Sequence, residues 1–399
     1  MSSNQTQYDV IIIGGGASGL MCAAVLNIEQ PSYKVLVLDQ NSKPGRKLLA
    51  TGNGRCNFTN LNLNPGCYNT DDPDKLGRIL NRFPSKTVIG YFEDKLGVIA
   101  AYKGDLVYPI TYQSKTVTDA LVNACKNTDF VYDTKVTSVV KDGMSIKVNG
   151  TYSAFAVVFA CGGVSLPDSG SDGSLYPVIM SYAGKDSFMP LLPSLVALKS
   201  SDKDIRKLAG LRQECALNMD GHVEKGELLF TDYGISGICV MQLSGIYNRS
   251  VATGSKIGYV SVDLIPSMSS EEKLTKVKDL IGRFSDRKPA DAISGLLKKP
   301  LAQCVCDRSN GTAEDIARII GDFRIALNGS QGFENAQVTS GGLKLKNVTD
   351  DLELTGTEGI YVIGEALNVD GICGGYNLHW AWASAMAAAY SISDVLEGL

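Results

Sequence analysis

The sequence predicts an α/β protein in which a parallel-sheet domain is split by an inserted β-rich and helical segment. Three observations carry this. An apolar strand, Tyr8 to Ile13, runs into Gly14-Gly-Gly16-Ala17-Ser18-Gly19, followed by a helical stretch from Leu20 to Ile28 and a second apolar strand, Lys34 to Leu38, closed by Asp39. From Ser194 to about Pro266 the pattern alternates between apolar and polar residues, and from Ser269 to about Leu327 it turns helical. Thr339-Ser-Gly341-Gly342 and the strand-like Gly359-Ile-Tyr-Val-Ile-Gly364-Glu365 then return to the texture of the first domain.

The opening β-α-β unit has the spacing that holds an adenine dinucleotide. Gly14 supplies the backbone conformation of a tight strand-to-helix turn. Gly16 keeps side chains away from a pyrophosphate, and Gly19 lets the helix pack close to the strand. The helix N-terminus offers unpaired N–H groups and a positive dipole end to phosphates. Asp39 follows Gly19 by 20 positions (39 − 19), where a carboxylate accepts hydrogen bonds from ribose hydroxyls. G-x-G-x-x-G alone is weak evidence. The strand before it, the helix after it and the acid beyond make it specific. A second such motif is absent from the sequence, so one dinucleotide is held tightly and any nicotinamide visits without a domain of its own.

Along the chain, a polar loop (Asn41 to Asp74) precedes helices expected at about Asp74 to Leu96 and Ser114 to Lys126. Strands are expected at Val131 to Val140, Ser145 to Val148 and Ala154 to Ala160, the last ending in Cys161-Gly162-Gly163. Pro190 and Pro193 mark the change of texture. Leu195 to Leu198, Glu214 to Leu217 and Lys256 to Val262 read as an antiparallel sheet or small barrel. Ser269 with Glu272, and Thr312 with Asp315, are capping-box-like helix starts. A final helix is expected from about Asn377 to Leu396. The expected domains are 1–193 with 339–399 for the nucleotide domain, 194–266 plus about 331–338 for the β insert, and 267–330 for a small helical domain.

Composition narrows the function. Apolar residues make up 44% and charged residues 20% of the 399, as in soluble globular proteins. The net charge of −4 argues against a nucleic-acid or anionic-membrane partner. Two uncharged stretches, Val10 to Leu26 and Gly371 to Ser393, carry too many Gly, Ser and polar residues to be membrane spans. Ten cysteines without framework spacing, and no signal peptide before the first strand, point to a reducing, cytoplasmic setting. Cys304 and Cys306 form a C-x-C, but with two histidines in the chain no metal site is expected. Nothing in the sequence speaks to oligomeric state.

Two glycine-rich segments carry the chemistry. The run Lys43-Pro-Gly-Arg46-Lys47-Leu-Leu-Ala-Thr-Gly-Asn53-Gly54-Arg-Cys56-Asn57 is either an ordinary surface loop or a wrap for a diphosphate and a flavin ring. The run Gly371-Ile-Cys373-Gly-Gly375-Tyr376-Asn377-Leu378-His379-Trp380-Ala-Trp382 places glycines before a helix start, with Asn377 as the expected N-cap. A helix N-terminus there would stabilise an anionic reduced flavin, or the segment is a glycine turn before a buried helix.

At GRKLLATGNGRCNFTN, LLFTDYGISG (Leu228 to Gly237) and GEALNVDGICGGYNLHWAWASA (Gly364 to Ala385) the chain resembles the BaiN/YhiN-like flavoprotein family, also labelled aminoacetone-oxidase-like. The resemblance spans nearly the whole chain. It implies a glutathione-reductase-type Rossmann-like FAD-binding domain, an inserted β-barrel domain and a small helical domain, with non-covalent FAD. Carried over, Gly14, Gly16, Gly19 and Asp39 would bind the ADP half, with Ala17, Ser18 and Gly162 beside them. Arg46, Lys47, Asn53, Gly54 and Asn57 would lie along the diphosphate and flavin. Gly364 and Glu365 would sit by the ribityl–phosphate portion, and Gly375, Asn377 and Leu378 by the isoalloxazine. Asp39 replaces the more usual Glu, His379 replaces an expected Gln, and Lys346 to Gly359 lacks the family's Thr-Met-Glu-Ser-like stretch.

His379, Tyr376 and Tyr233 are candidate proton donors, each with a packing role as the alternative. Cys56 and Cys373 are either redox partners or small packed residues, and Trp380 and Trp382 either pack or stack on flavin. The expected activity is an NAD(P)H-linked flavin reductase acting on a small unsaturated, enone-like substrate of steroid or bile-acid type. An amine-type oxidase using O₂ and a non-catalytic FAD-binding or tRNA-associated protein are the alternatives, the acidic charge balance and lack of a basic arm weighing against RNA.

Overall fold

The computed structural model describes residues 6–255 and 257–398. The chain divides into two compact units, one holding the described residues up to Leu191 together with those from Val338 onward, the other Leu192–Gln337.

The first unit is built on parallel strands in the order Thr128–Val131, Val35–Leu38, Thr6–Ile13, Tyr152–Phe159, Ile360–Val362. Val35–Leu38 and Ile360–Val362 are buried at every position, as interior parallel strands require. An antiparallel hairpin, Val139–Asp142 with Ser145–Val148, joins the start of Tyr152–Phe159. The helix Ala17–Glu29 is buried from Ser18 to Asn27 and packs against the final helix, Tyr376–Glu397, whose alanine-rich face permits the approach.

Several elements differ from their sequence expectations, each for a local reason. The helix expected over Asp74 to Leu96 is two helices, Pro73–Arg82 and Ser85–Asp94. Pro84 disfavours helical backbone at Phe83, which sits at φ −126° and ψ 63°. The strand expected over Val131 to Val140 leaves the sheet at Asp133, whose φ is 50°, and only its two ends pair. The polar loop contains the helix Arg46–Ala50 and the short strands Thr59–Asn60 and Tyr68–Thr70.

The second unit holds seven antiparallel strands, in the order Phe323–Ala326, Tyr259–Asp263, Arg212–Met219, His222–Phe230, Gly234–Ser236, Leu198–Lys199, Gly329–Ser330. The order begins and ends on one stretch of chain. Phe323–Ala326 pairs with Tyr259–Val262, while Gly329 and Ser330 pair with Lys199 and Leu198. The run of strands therefore comes back on itself. Phe323–Ala326 falls inside the stretch read as helical; its alternating burial is that of a strand with one face on the core. The helices Ser270–Arg283, Lys299–Arg308 and Ala313–Gly321 share one cluster of buried side chains with this sheet. Ser269 and Glu272 form a complete capping box at the first of them, whereas Thr312 caps the third through Asp315 N–H alone.

Candidate functional site

The nucleotide end is made by a contiguous stretch of chain. Gly14 has φ 113°, and a Cβ there would lie 2.4 Å from the Ala160 carbonyl oxygen. A Cβ on Gly19 would lie 1.9 Å from the Gly14 carbonyl oxygen, so helix and turn touch with no room for a methyl. Gly16 differs from both: a Cβ there would meet nothing within 4 Å. It precedes Ala17–Glu29 with no side chain capping the helix. The open space at Gly16 thus adjoins a positive dipole end where no side chain caps the first-turn N–H groups of Ala17, Ser18 and Gly19.

Asp39 sits at the end of the neighbouring strand and is buried. Its Oδ2 accepts from Gly15 N–H at 2.7 Å, and its Oδ1 accepts from the Asn41 backbone and side-chain amides at 2.7 and 3.0 Å. A carboxylate has about four acceptor positions, so this short acid orders the glycine turn and keeps capacity for a hydroxyl. Gly162 follows the adjacent strand at φ 70°, packed against Ser171. Gly364 ends the next strand at φ 68°, where a Cβ would lie 2.6 Å from Ser18 Oγ.

The loop after Lys43 reaches this end through charge. Lys47 Nζ lies 2.7 Å from Glu365 Oε2, with both side chains 22% exposed. Glu365 Oε1 accepts from Thr339 N–H at 2.7 Å. Thr339 Oγ1 accepts from the Val164 and Ser165 N–H groups at 2.8 and 3.0 Å. Lys47 and Glu365, both expected beside the cofactor, are brought together as each other's partner. Arg46 is exposed, with Asn41 Oδ1 at 3.4 Å. Asn53, exposed, and Gly54, half-buried, form a turn at φ 54° and 79°.

The other end joins segments far apart in sequence. Gly375, at φ 94°, precedes the final helix, again with no side-chain cap. A Cβ on Gly375 would lie 2.6 Å from the Thr59 carbonyl oxygen and 2.9 Å from Asn57 Oδ1. That Asn57 Oδ1 is buried with no hydrogen-bond partner among the described residues. A buried acceptor without a partner beside an uncapped helix start keeps its capacity for a donor. Asn57 and Gly375 are held in place by Asn60 Nδ2 to the Gly374 carbonyl at 2.8 Å and Trp382 Nε1 to the Phe58 carbonyl at 2.8 Å.

Asn377 is not the N-cap. The helix begins one residue earlier, and the Asn377 amide pairs with both the N–H and the carbonyl of Gly371 at 2.8 Å. It holds the glycine loop closed. Leu378 is half-buried against the core.

The proton-donor candidates fare differently. His379 is fully buried, with Nδ1 2.7 Å from Thr59 Oγ1 and Nε2 2.9 Å from the Phe83 carbonyl oxygen. A carbonyl only accepts, so Nε2 carries the proton and Nδ1 accepts from the Thr59 hydroxyl. Burial lowers its pKa to about 4 and keeps it neutral. Tyr376 is buried, and its hydroxyl donates to the Asn62 carbonyl at 3.1 Å. Burial holds that phenol well above its ordinary range. Tyr233 belongs to the second unit and is 37% exposed. Trp380 Nε1 donates to the Gly364 carbonyl at 3.0 Å, so both indoles serve the backbone. Cys56 is buried, which raises its thiol pKa to about 12.

Sequence reasoning missed Thr59, Phe83 and Thr339. Thr59 lies inside the glycine-rich signature and Thr339 in the Thr-Ser-Gly-Gly return, yet neither spacing shows which distant atom each would meet.

Residues 8–391 match the sequence profile of the HI0933-like protein Rossmann domain. A 3-dehydro-bile acid delta(4,6)-reductase of Clostridium scindens is 32% identical over 410 residues, covering 96% of this chain and 98% of that protein. A ribosomal RNA dihydrouridine synthase of Escherichia coli is 29% identical over 422 residues, covering 97% of this chain and 98% of that protein. Among solved structures, 3-ketosteroid delta1-dehydrogenase from Sterolibacterium denitrificans is similar with a TM-score of 0.53 at 14% identity, covering 98% of this chain and 100% of that one. This last likeness is one of fold. No helix among the described residues is long and apolar enough to cross a membrane.

Proposed function

The chain belongs to the HI0933-like family, oxidoreductases with an FAD-binding Rossmann fold, and from that premise we propose an FAD-dependent reductase of a carbon–carbon double bond conjugated to a carbonyl. The observation that carries the reading is the pair of uncapped helix starts, at Gly16 and Gly375, with the unpartnered Asn57 Oδ1 beside the second. Both relatives' names describe reductions of this type. A 3-oxo-Δ4,6 steroid and the uracil ring each present an alkene in conjugation with a carbonyl.

FAD, when bound, would supply the hydride transfer that side chains cannot perform. The residues present fit it. Gly16, Ala17, Ser18 and Gly19 would hold the diphosphate on backbone N–H groups, while Gly14, whose N–H is spent on the Leu38 carbonyl at 2.8 Å, would shape the turn that brings them to it. Asp39 would take a ribose hydroxyl with its remaining acceptor capacity. Asn57 would accept from the flavin's pyrimidine N–H. The helix start at Tyr376, Asn377 and Leu378 would favour negative charge on the same edge.

Addition to an enone also needs a proton at the α carbon. His379 and Tyr376 have their polar atoms committed to Thr59, Phe83 and Asn62. NADH or NADPH is the proposed donor of electrons. An anaerobic visible spectrum before and after each nucleotide tests the reading. Bleaching of a flavin band supports it. A flavin that neither nucleotide bleaches, yet air reoxidises fast after chemical reduction, turns the assignment to the oxidase alternative.

A second reading takes a uridine in RNA as the substrate, against the small-molecule assignment made from charge. It is favoured by the E. coli relative's name and coverage. The net charge of −4 weighs against it. Conversion of uridine to dihydrouridine in an RNA transcript, compared with turnover of a 3-oxo-Δ4,6 steroid, separates the two.

A further inference from the structure

The second unit holds a pair of thiols that the reductase reading does not use. Cys215 lies on the strand Arg212–Met219, directly across from Gly226 on the strand His222–Phe230. Its Sγ is 3.6 Å from the Gly226 carbonyl oxygen. Cys239 is the second residue of the helix Ile238–Ala252, and its Sγ is 3.6 Å from the next carbonyl oxygen, that of Glu227. Gly226 is what lets them meet. With no side chain opposite Cys215, the space is taken by Cys239, whose Cβ and Sγ would lie 3.7 and 3.9 Å from a Cβ placed on Gly226. Both residues are buried, and each thiol donates to its own one of these two carbonyls, so the two sulfurs sit over successive residues of one strand.

The pair is polarised. The neighbouring sulfur raises the pKa of Cys215 and lowers that of Cys239, and the Val240 N–H of the helix's first turn lowers Cys239 further. Burial pushes Cys22, Cys56, Cys125, Cys161, Cys304 and Cys306 the other way. The nucleophile and its resolving partner are thus distinguished by position.

We propose that Cys215 and Cys239 form a redox-active dithiol that closes to a disulfide on reaction with hydrogen peroxide, the product of any flavin that leaks electrons to O₂. Cys239 sulfur attacks one peroxide oxygen. The S–O bond forms, the O–O bond breaks, and the departing hydroxide takes the thiol proton and leaves as water. Cys215 sulfur then attacks the sulfenic Cys239 sulfur. The S–S bond forms, the S–O bond breaks, and a second water leaves with the Cys215 proton. Two thiols are oxidised by two electrons and one peroxide is reduced to two waters. The new bond ties the start of the helix Ile238–Ala252 to the sheet beneath it.

The test is peptide mapping of full-length, flavin-loaded protein after graded hydrogen peroxide, with N-ethylmaleimide added in denaturant. The expected result is a cross-linked pair of peptides containing Cys215 and Cys239, both unlabelled, before other cysteines are lost, and recovery of both labels after dithiothreitol. Cys215→Ser should leave Cys239 as a sulfenic acid captured by dimedone. Full labelling of Cys215 and Cys239 after other thiols have been oxidised overturns the proposal. The wild-type map decides this, so a variant that fails to fold does not shield it.

Discussion

The two ends of the candidate cofactor site are built on different principles. The nucleotide end is shaped by missing side chains: Gly14 and Gly19 are jammed against backbone, Gly16 is open, and all lie within one turn. The flavin-edge end is shaped by side chains that are present. Asn57, Thr59, Asn60, Gly375 and His379 come from segments about 320 positions apart and are joined by discrete hydrogen bonds. The first end is specified by sterics, and Gly14 and Gly19 leave no room for a methyl. The second, the sterically closed Gly375 apart, is specified by partners and tolerates residues that keep them. Substitution should therefore fail abruptly at one end and by degrees at the other.

The most complete loss, that of bound FAD itself, is expected from Gly19→Ala. Its methyl would overlap the Gly14 carbonyl, and the backbone shift needed costs about 1–3 kcal/mol. Purified protein should retain no FAD by the ratio of visible to ultraviolet absorbance; retention of FAD would break the comparison. His379→Ala comes next. It leaves the Thr59 hydroxyl and Phe83 carbonyl unpartnered around a cavity, an expected loss of about 3–5 kcal/mol in denaturant unfolding. His379→Gln offers one donor and one acceptor on a single amide and should recover most of it. Equal loss in both variants would mean that ring packing, not the bridge, matters.

A pH titration sharpens the same point. Burial lowers the His379 pKa from 6.5 to about 4. Between these values the unfolded chain binds the proton and the folded one does not. Stability from this group is therefore complete above 6.5, falls as pH drops below it, and levels off below about 4, a change of about 3 kcal/mol. The His379→Gln variant should lack that component. Asn57→Leu should fold normally and lose roughly tenfold in FAD affinity, the worth of one buried hydrogen bond; unchanged affinity would remove Asn57 from the site. The smallest effect belongs to Lys47→Met. A partly exposed ion pair is worth about 0–1 kcal/mol, so melting should barely move.

The contrast also explains what the sequence made legible. Gly14, Gly16, Gly19 and Asp39 act within one β-α-β unit, so spacing alone carries their roles. The return of the first domain after the insert was visible because parallel strands leave continuous apolar runs such as Ile360–Val362. His379 stayed open between proton donor and packed residue because nothing local distinguishes an exposed histidine from one whose partners, Thr59 and Phe83, arrive from elsewhere in the fold. Asn377 was misjudged as a cap for a related reason. Its side chain turns back on Gly371, an interaction that competes with capping in the same sequence pattern. Phe323–Ala326 was lost in a helical neighbourhood because a four-residue strand has too few positions to declare its period.

Trp380 and Trp382 are the only two tryptophans in the chain, and both are buried on the final helix just past Gly375. The intrinsic fluorescence of the protein is therefore a local probe. It reports the flavin-edge end and is silent about the inserted unit. Flavin bound beside that helix should quench the indole emission by energy transfer, so cofactor affinity can be followed without label. Unfolding of Leu192–Gln337 should go unseen by tryptophan emission while circular dichroism records it, which makes disagreement between the two signals a direct measure of how independently the two units melt.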